Sequence, residues 1–134
     1  MSSAESKRRT FDFGIRVVRR VQALPKGDAP RELGRLLRSG MSVGANYRAA
    51  ARARSRADFV SKLGIVEEES DETLYWIEVL IELGLVKAKR VRPLYAEGSE
   101  IVAMIVSSLT TARPSRKQLR SKRTAKRKIS RPRK

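Results

Sequence analysis

Arginine is the residue type in this chain that could do chemistry, and the chemistry is phosphate binding. Arg16, Arg19, Arg20, Arg31, Arg35 and Arg38 fall at helical spacings on the polar sides of two successive helical patterns. A second basic group, Arg113, Arg116, Lys117, Arg120, Lys122, Arg123, Lys126, Arg127 and Lys128, crowds the C-terminal segment. A guanidinium presents a planar fork of donors that matches phosphate oxygens, and several on one surface add their fields. Both groups are candidate nucleic-acid contacts of low sequence preference and high salt sensitivity. The competing reading is a solvated cationic face, partly neutralised by acids of a third helix.

Other chemistries have less to stand on. The 134 residues include no histidine and no cysteine, which removes imidazole bases, thiolate nucleophiles and the commonest zinc ligands. No nucleophile–base pair or metal constellation can be assembled, so neither an enzyme nor a cofactor is expected. The run Glu67, Glu68, Glu69, Asp71 and Glu72 invites a metal reading. Metal sites in bundles, however, combine inward glutamates with a histidine three residues on, and these acids point away from the apolar stripe of their helix. Glu68 and Glu72 are like charges one turn apart, which costs an isolated helix about 0.2–0.5 kcal/mol. Arginines of the second helix or of a neighbouring subunit are their expected partners. The glycine-rich run RSGMSVGAN lacks the G-K-[ST] ending of a phosphate loop. Tyr75 and Trp76 could stack on bases but fit a core or interface better.

Helices must position these groups. Thr10 is a candidate N-cap for a first helix with the stripe Phe11, Ile15, Val18 and Gln22, and Arg16, Arg19 and Arg20 fall on the opposite side. Asp28 or Ala29 followed by Pro30 opens a second, with the inward stripe Leu33, Leu36, Leu37, Gly40, Gly44, Tyr47 and Ala51. Each interior glycine costs about 0.8–1 kcal/mol against alanine, so another backbone is expected to pack closely on Gly40 and Gly44. Ser42, Ala45, Asn46 and Ala49 form a run of small residues on the outward side, suited to the approach of a further helix. Ser55 with Asp58 caps a third helix with the stripe Phe59, Leu63, Val66, Ser70, Thr73, Leu74, Ile77, Leu80 and Ile81, ending at Gly84. Ile65, Trp76, Val79 and Leu83 make a second apolar strip that a monomeric bundle would not wholly bury, which marks an oligomer interface. Pro93 opens a fourth helix with the stripe Leu94, Gly98, Ile101, Ile105, Ser108, Leu109 and Ala112, and Pro114 ends it.

These patterns predict an all-α protein, an up-and-down antiparallel four-helix bundle over residues 10–112. Residues 1–9 are expected to be a flexible lead-in. The net charge is +17, yet twelve of the 31 basic residues and none of the 14 acidic ones lie from Arg113 onward. The bundle is therefore only about +5, and the segment 113–134 is expected to be disordered when free. No apolar run reaches the ~20 residues that span a bilayer and no signal peptide is recognisable, so a soluble cytoplasmic protein without membrane partners is expected.

The segment LLRSGMSVGANYRAAARARSRADFVSKLGIVEEESDETLYWIEVLIELG resembles the bacterial four-helix-bundle proteins known as 23S rRNA intervening-sequence proteins, in its RSG-x-SVGAN run and its E-x-x-E-T-x-Y-W pattern. Met41 stands where that family more often has threonine. The resemblance runs from about Phe11 to Leu109 and implies a helical bundle that assembles into a ring-like homopentamer. The accessory protein of diversity-generating retroelements is similar in fold, which adds a reverse transcriptase to the candidate partners. The functional expectation is a non-enzymatic oligomeric bundle that binds RNA or DNA through the basic tail and the helix arginines. The alternatives are a structural or protein-interaction scaffold and an accessory subunit of a reverse transcriptase.

Overall fold

Three N-terminal signals set where the first three long helices begin. In the computed structural model, which describes residues 2–27, 29–113 and 116–130, the Ser2 side chain accepts the Glu5 N–H and opens α1, Ser3–Gln22. The cap is therefore Ser2 rather than Thr10, and the lead-in is helical from Ser3. Pro30 is the first residue of α2, Pro30–Ala51, behind Ala29 in the left-handed region at φ 48°; the alternative cap, Asp28, lies outside the described residues. Ser55 accepts the Asp58 N–H and opens α3, Arg56–Glu82, which ends before Gly84 at φ +72° as its capping pattern predicts. α4, Ala88–Ala112, starts five residues ahead of Pro93 and holds it inside the helix. Pro93 withholds the N–H that would bond the Lys89 carbonyl, a cost borne within the first two turns rather than mid-helix. Pro114, the expected stop, lies outside the described residues.

Successive helices run antiparallel. Gly40 packs on Val17 and Gly44 on Phe11 across α1 and α2, and Ser39 pairs with Thr73 across α2 and α3. Tyr95 meets Glu78 across α3 and α4, and Arg9 meets Glu97 across α4 and α1. The order α1–α2–α3–α4 thus closes on itself, with α1 and α4 the most loosely joined pair. The up-and-down bundle is as the sequence predicts, and its core comprises Phe13, Val17, Leu36, Val43, Leu63, Val66, Ile77, Leu80, Ile101, Ile105 and Leu109. Within it the Ser39 and Thr73 hydroxyls lie 3.0 Å apart, with the Leu36 and Glu69 carbonyls as further acceptors. No buried hydroxyl there is left unmatched, which a low-dielectric interior requires.

The inward face of α1 differs from the expected stripe. Phe13 is fully buried while Phe11 is 54% exposed and Ile15 37%. The core stripe is Ser6, Thr10, Phe13, Gly14 and Val17, in which the polar Thr10 donates to its own Ser6 carbonyl at 2.9 Å. Small residues win this face because α2 lies too close for large ones: a Cβ on Gly14 would sit 3.1 Å from the Gly40 carbonyl oxygen, and one on Gly44 3.2 Å from the Phe11 backbone. In α2 the buried line is Leu36, Ser39, Gly40, Val43, Tyr47 and Ala50, so Ala51 of the expected stripe is exposed.

The glycines separate into two groups with opposite expected effects. A Cβ on Gly40 would meet Val17 Cγ1 at 2.8 Å and its Cβ at 3.0 Å, and Val17 is fully buried. Valine is stiff at χ1, so overpacking of about 1–3 kcal/mol exceeds the roughly 1 kcal/mol gained in helix propensity. Gly34 and Gly64 have nothing within 4 Å of such an atom. In urea titrations Gly34→Ala and Gly64→Ala should each stabilise the protein by about 0.8–1 kcal/mol, and Gly40→Ala should destabilise it. Equal midpoint shifts at all three sites would refute the seam.

Beyond the bundle, Arg116–Ser130 form a fifth helix, α5, that packs against none of the other four among the described residues. The sequence predicts disorder for 113–134 from the absence of a core. α5 indeed has no core, but its lysines, arginines, leucine, glutamine and alanine are good helix formers without an interrupting glycine.

Candidate nucleic-acid interface

The six helix arginines do not share a surface. Arg16, Arg19 and Arg20 of α1 turn to α4, where with Arg90 they line a cleft of about 280 Å³ floored by Ala23, Pro93 and Leu94. Arg20 is fixed by donation from Nη2 to the Arg90 carbonyl at 3.0 Å. Among the described residues, no carboxylate lines this cleft and none of the four arginines is ion-paired. Four guanidiniums in one concavity repel one another, and an arginine cannot shed its proton at physiological pH. A polyanion is the ligand class that relieves such a cluster.

Arg31, Arg35 and Arg38 lie on the other side of the bundle, along α2 towards α3. Arg38 Nη2 is 2.9 Å from Glu72 Oε2 and its Nη1 is 3.3 Å from Glu69 Oε1. Its hydrogen bonds to the Glu72 and Glu69 carboxylates hold the Arg38 guanidinium above its ordinary pKa. Burial pushes the Glu72 carboxyl up, but hydrogen bonds from the Trp76 ring N–H and from Arg38 outweigh it and leave the pKa below the ordinary value. The Arg35 guanidinium sits over the Trp76 ring, 5.3 Å from its centroid, a cation–π contact. Of this trio only Arg31 is without such a partner among the described residues. Of the acidic run, Glu69 and Glu72 supply ion pairs to α2, both to Arg38, whereas Glu68 has none among the described residues.

The same face holds the residues expected at an oligomer interface. The register set by Ser39–Thr73 and Arg35–Trp76 puts Asn46 level with Ile65, whereas Trp76, Val79 and Leu83 lie level with the start of α2, several turns from its small run. Ala45 is exposed, and Ser42, Asn46 and Ala49 are half-buried. Asn46 Nδ2 donates to the Ser42 carbonyl at 2.8 Å, and Ser42 Oγ to the Arg38 carbonyl at 2.7 Å, so both find partners within α2. Trp76 and Val79 are half-buried, whereas Ile65 is 39% and Leu83 57% exposed.

In the tail, Arg113, Arg120, Arg123, Lys126, Arg127 and Lys128 are exposed. The side chains of Arg116, Lys117 and Lys122 lie outside the described residues. Sequence reasoning missed Arg90, though Lys87, Lys89, Arg90 and Arg92 form a basic run whose register against α1 only the fold reveals. It also missed Arg9, whose guanidinium bonds both Glu97 and Glu100 and is raised in pKa chiefly by the Glu97 bond. That bridge ties α1 to α4 further along the same pair of helices. No helix among the described residues is long and apolar enough to cross a membrane.

The sequence profile of 23S rRNA-intervening sequence proteins matches residues 3–107. A solved structure from Bacteroides thetaiotaomicron, described as a protein of unknown function from the S23 ribosomal protein family, is 32% identical, with a TM-score of 0.77 over 82% of this chain and 99% of that one. The comparison with curated proteins finds no match. With a profile matched from the start of α1 into α4 and a relative 32% identical over 82% of this sequence, the chain belongs to the 23S rRNA-intervening sequence protein family.

Proposed function

We propose that the protein is a non-enzymatic, oligomeric, cytoplasmic bundle that binds RNA or DNA with little sequence preference through two electropositive elements, the α1–α4 cleft and the basic tail. The observation that carries this reading is the division of the arginines. Arg35 and Arg38 are engaged by Trp76 and by glutamates, whereas Arg16, Arg19, Arg20 and Arg90 share a cleft without a carboxylate. The α2–α3 face, with its exposed Ile65 and Leu83, is the self-association face, and the family likeness makes a ring-like pentamer the expected assembly. A ring would repeat each cleft and tail and multiply the field on the bound strand. The exposed apolar residues also suit a scaffold that meets other proteins, and the absence of any nucleic-acid affinity would favour that reading.

Fluorescence anisotropy with a labelled single-stranded oligonucleotide and a duplex of equal length, at ~100 mM salt, tests the division. Changing Arg16, Arg19 and Arg20 together to alanine should weaken both probes by one to two orders of magnitude, at somewhat under a decade per phosphate contact. The matching triple at Arg31, Arg35 and Arg38 should change binding little and instead alter stability or assembly. If the second triple carries the loss, the assignment of faces is wrong.

A further inference from the structure

The cleft and the tail read charge, and neither offers an aromatic surface on which a base could stack. The α1–α2 groove does. Phe11 is 54% exposed, against a sequence expectation that buries it, and it forms one wall of a pocket of about 320 Å³ completed by Ala4, Lys7, Arg8, Gly44 and Arg48. Gly44 brings the two helices close at this point: a Cβ there would press on the Phe11 backbone at 3.2 Å. The Arg8 guanidinium lies 5.5 Å from the Phe11 ring centroid and is anchored by Asp12 at 3.1 Å. Lys7 and Arg48 are exposed, and neither is ion-paired among the described residues. No carboxylate lines the pocket.

An exposed ring beside two cations without an ion pair among the described residues, Lys7 and Arg48, meets the two demands of a single-stranded nucleic acid at once: a π-face for the base, opposite the one that Arg8 covers, and positive charge for the flanking phosphates. A duplex keeps its bases stacked inside and can use only the charge. We propose that this pocket is a stacking subsite for one unpaired base of a single-stranded nucleic acid. The inference rests on the nucleic-acid reading above and adds to it a preference for single strands. A second copy of the chain, itself carrying a net charge of +17, suits the cationic rim less well than a polyanion.

The test uses the full-length protein and three labelled probes of equal length: a single-stranded oligonucleotide, its blunt duplex, and a strand carrying abasic sugars. Phe11→Ala should weaken binding of the single strand about 5- to 150-fold, the range for loss of one base–aromatic stack, and leave the duplex and abasic strand unchanged. Phe11→Tyr keeps the ring and should bind like the unaltered protein. Undiminished single-strand binding by Phe11→Ala overturns the subsite while the nucleic-acid reading survives, as does an equal loss on the abasic strand. A change in particle mass with unchanged binding would identify a self-contact and also overturn it. Failure of the unaltered protein to bind any probe at ~50 mM salt sinks both the subsite and the reading on which it rests.

Discussion

Phe13→Ala should lower the free energy of unfolding by about 3–5 kcal/mol, whereas Phe11→Ala, two residues earlier on the same helix, should change it by well under 1 kcal/mol. Phe13 is wholly buried, and its ring lies against α4 so closely that a Cβ on Gly98 would stand 3.1 Å from its Cζ. Gly98 is there to admit that ring, and α3 contributes Leu74 from the other side. Deleting the ring leaves a cavity bounded by two helices and a glycine that cannot fill it. A domain of this size holds only about 5–15 kcal/mol in total, so the variant should be near its folding limit at 37 °C. Chemical denaturation of the two variants side by side decides the matter. Equal losses, or a larger loss at Phe11, would contradict the phase of α1.

That phase is also where the sequence is least legible. α3 can be read almost residue by residue, because Ser55 caps it, large apolar residues mark its core line, and Gly84 ends it. α1 hides its core line. Where two backbones approach closely the inward positions go to Ser6, Thr10 and Gly14, so the loudest hydrophobic residues, Phe11 and Ile15, are those left outside. Periodicity cannot separate the two arrangements without knowing what packs opposite. α4 misleads differently, since a proline inside the second turn resembles one at the first. For the candidate site, the sequence places Arg16, Arg19, Arg20, Arg31, Arg35 and Arg38 on polar sides and offers the second helix as a partner for the α3 acids, yet it does not reveal which helix the α1 arginines meet. The closed order of the bundle sends the α1 arginines to α4, where Arg90 joins them, and the α2 arginines to the acids and Trp76 of α3.

Ending the chain after Arg113 is expected to cost about two to four orders of magnitude in affinity for a single-stranded oligonucleotide at ~0.1 M salt. The truncation removes eleven of the 31 basic residues and no acidic ones. Each phosphate neutralised on a single strand adds roughly 0.7 to the slope of log K against log salt. Three to five tail cations engaged at once account for the expected loss relative to a ~1 M reference. The bundle should survive the cut. α5 packs against none of the long helices among the described residues, the Arg113 N–H still bonds the Leu109 carbonyl at 2.9 Å, and Arg56 still reaches the Ala112 carbonyl at 2.7 Å. Unchanged affinity with an unchanged melting temperature would leave the tail without a role in binding.

The claim that electropositive surfaces make this protein a nucleic-acid binder is met most directly by a salt titration of the full-length chain against a single-stranded oligonucleotide, from ~50 to ~400 mM. Measurable binding is expected at the low end, with a log–log slope of about −3 or steeper from the tail and the α1–α4 cleft together. Absence of binding at ~50 mM, or a slope near zero, would contradict that claim.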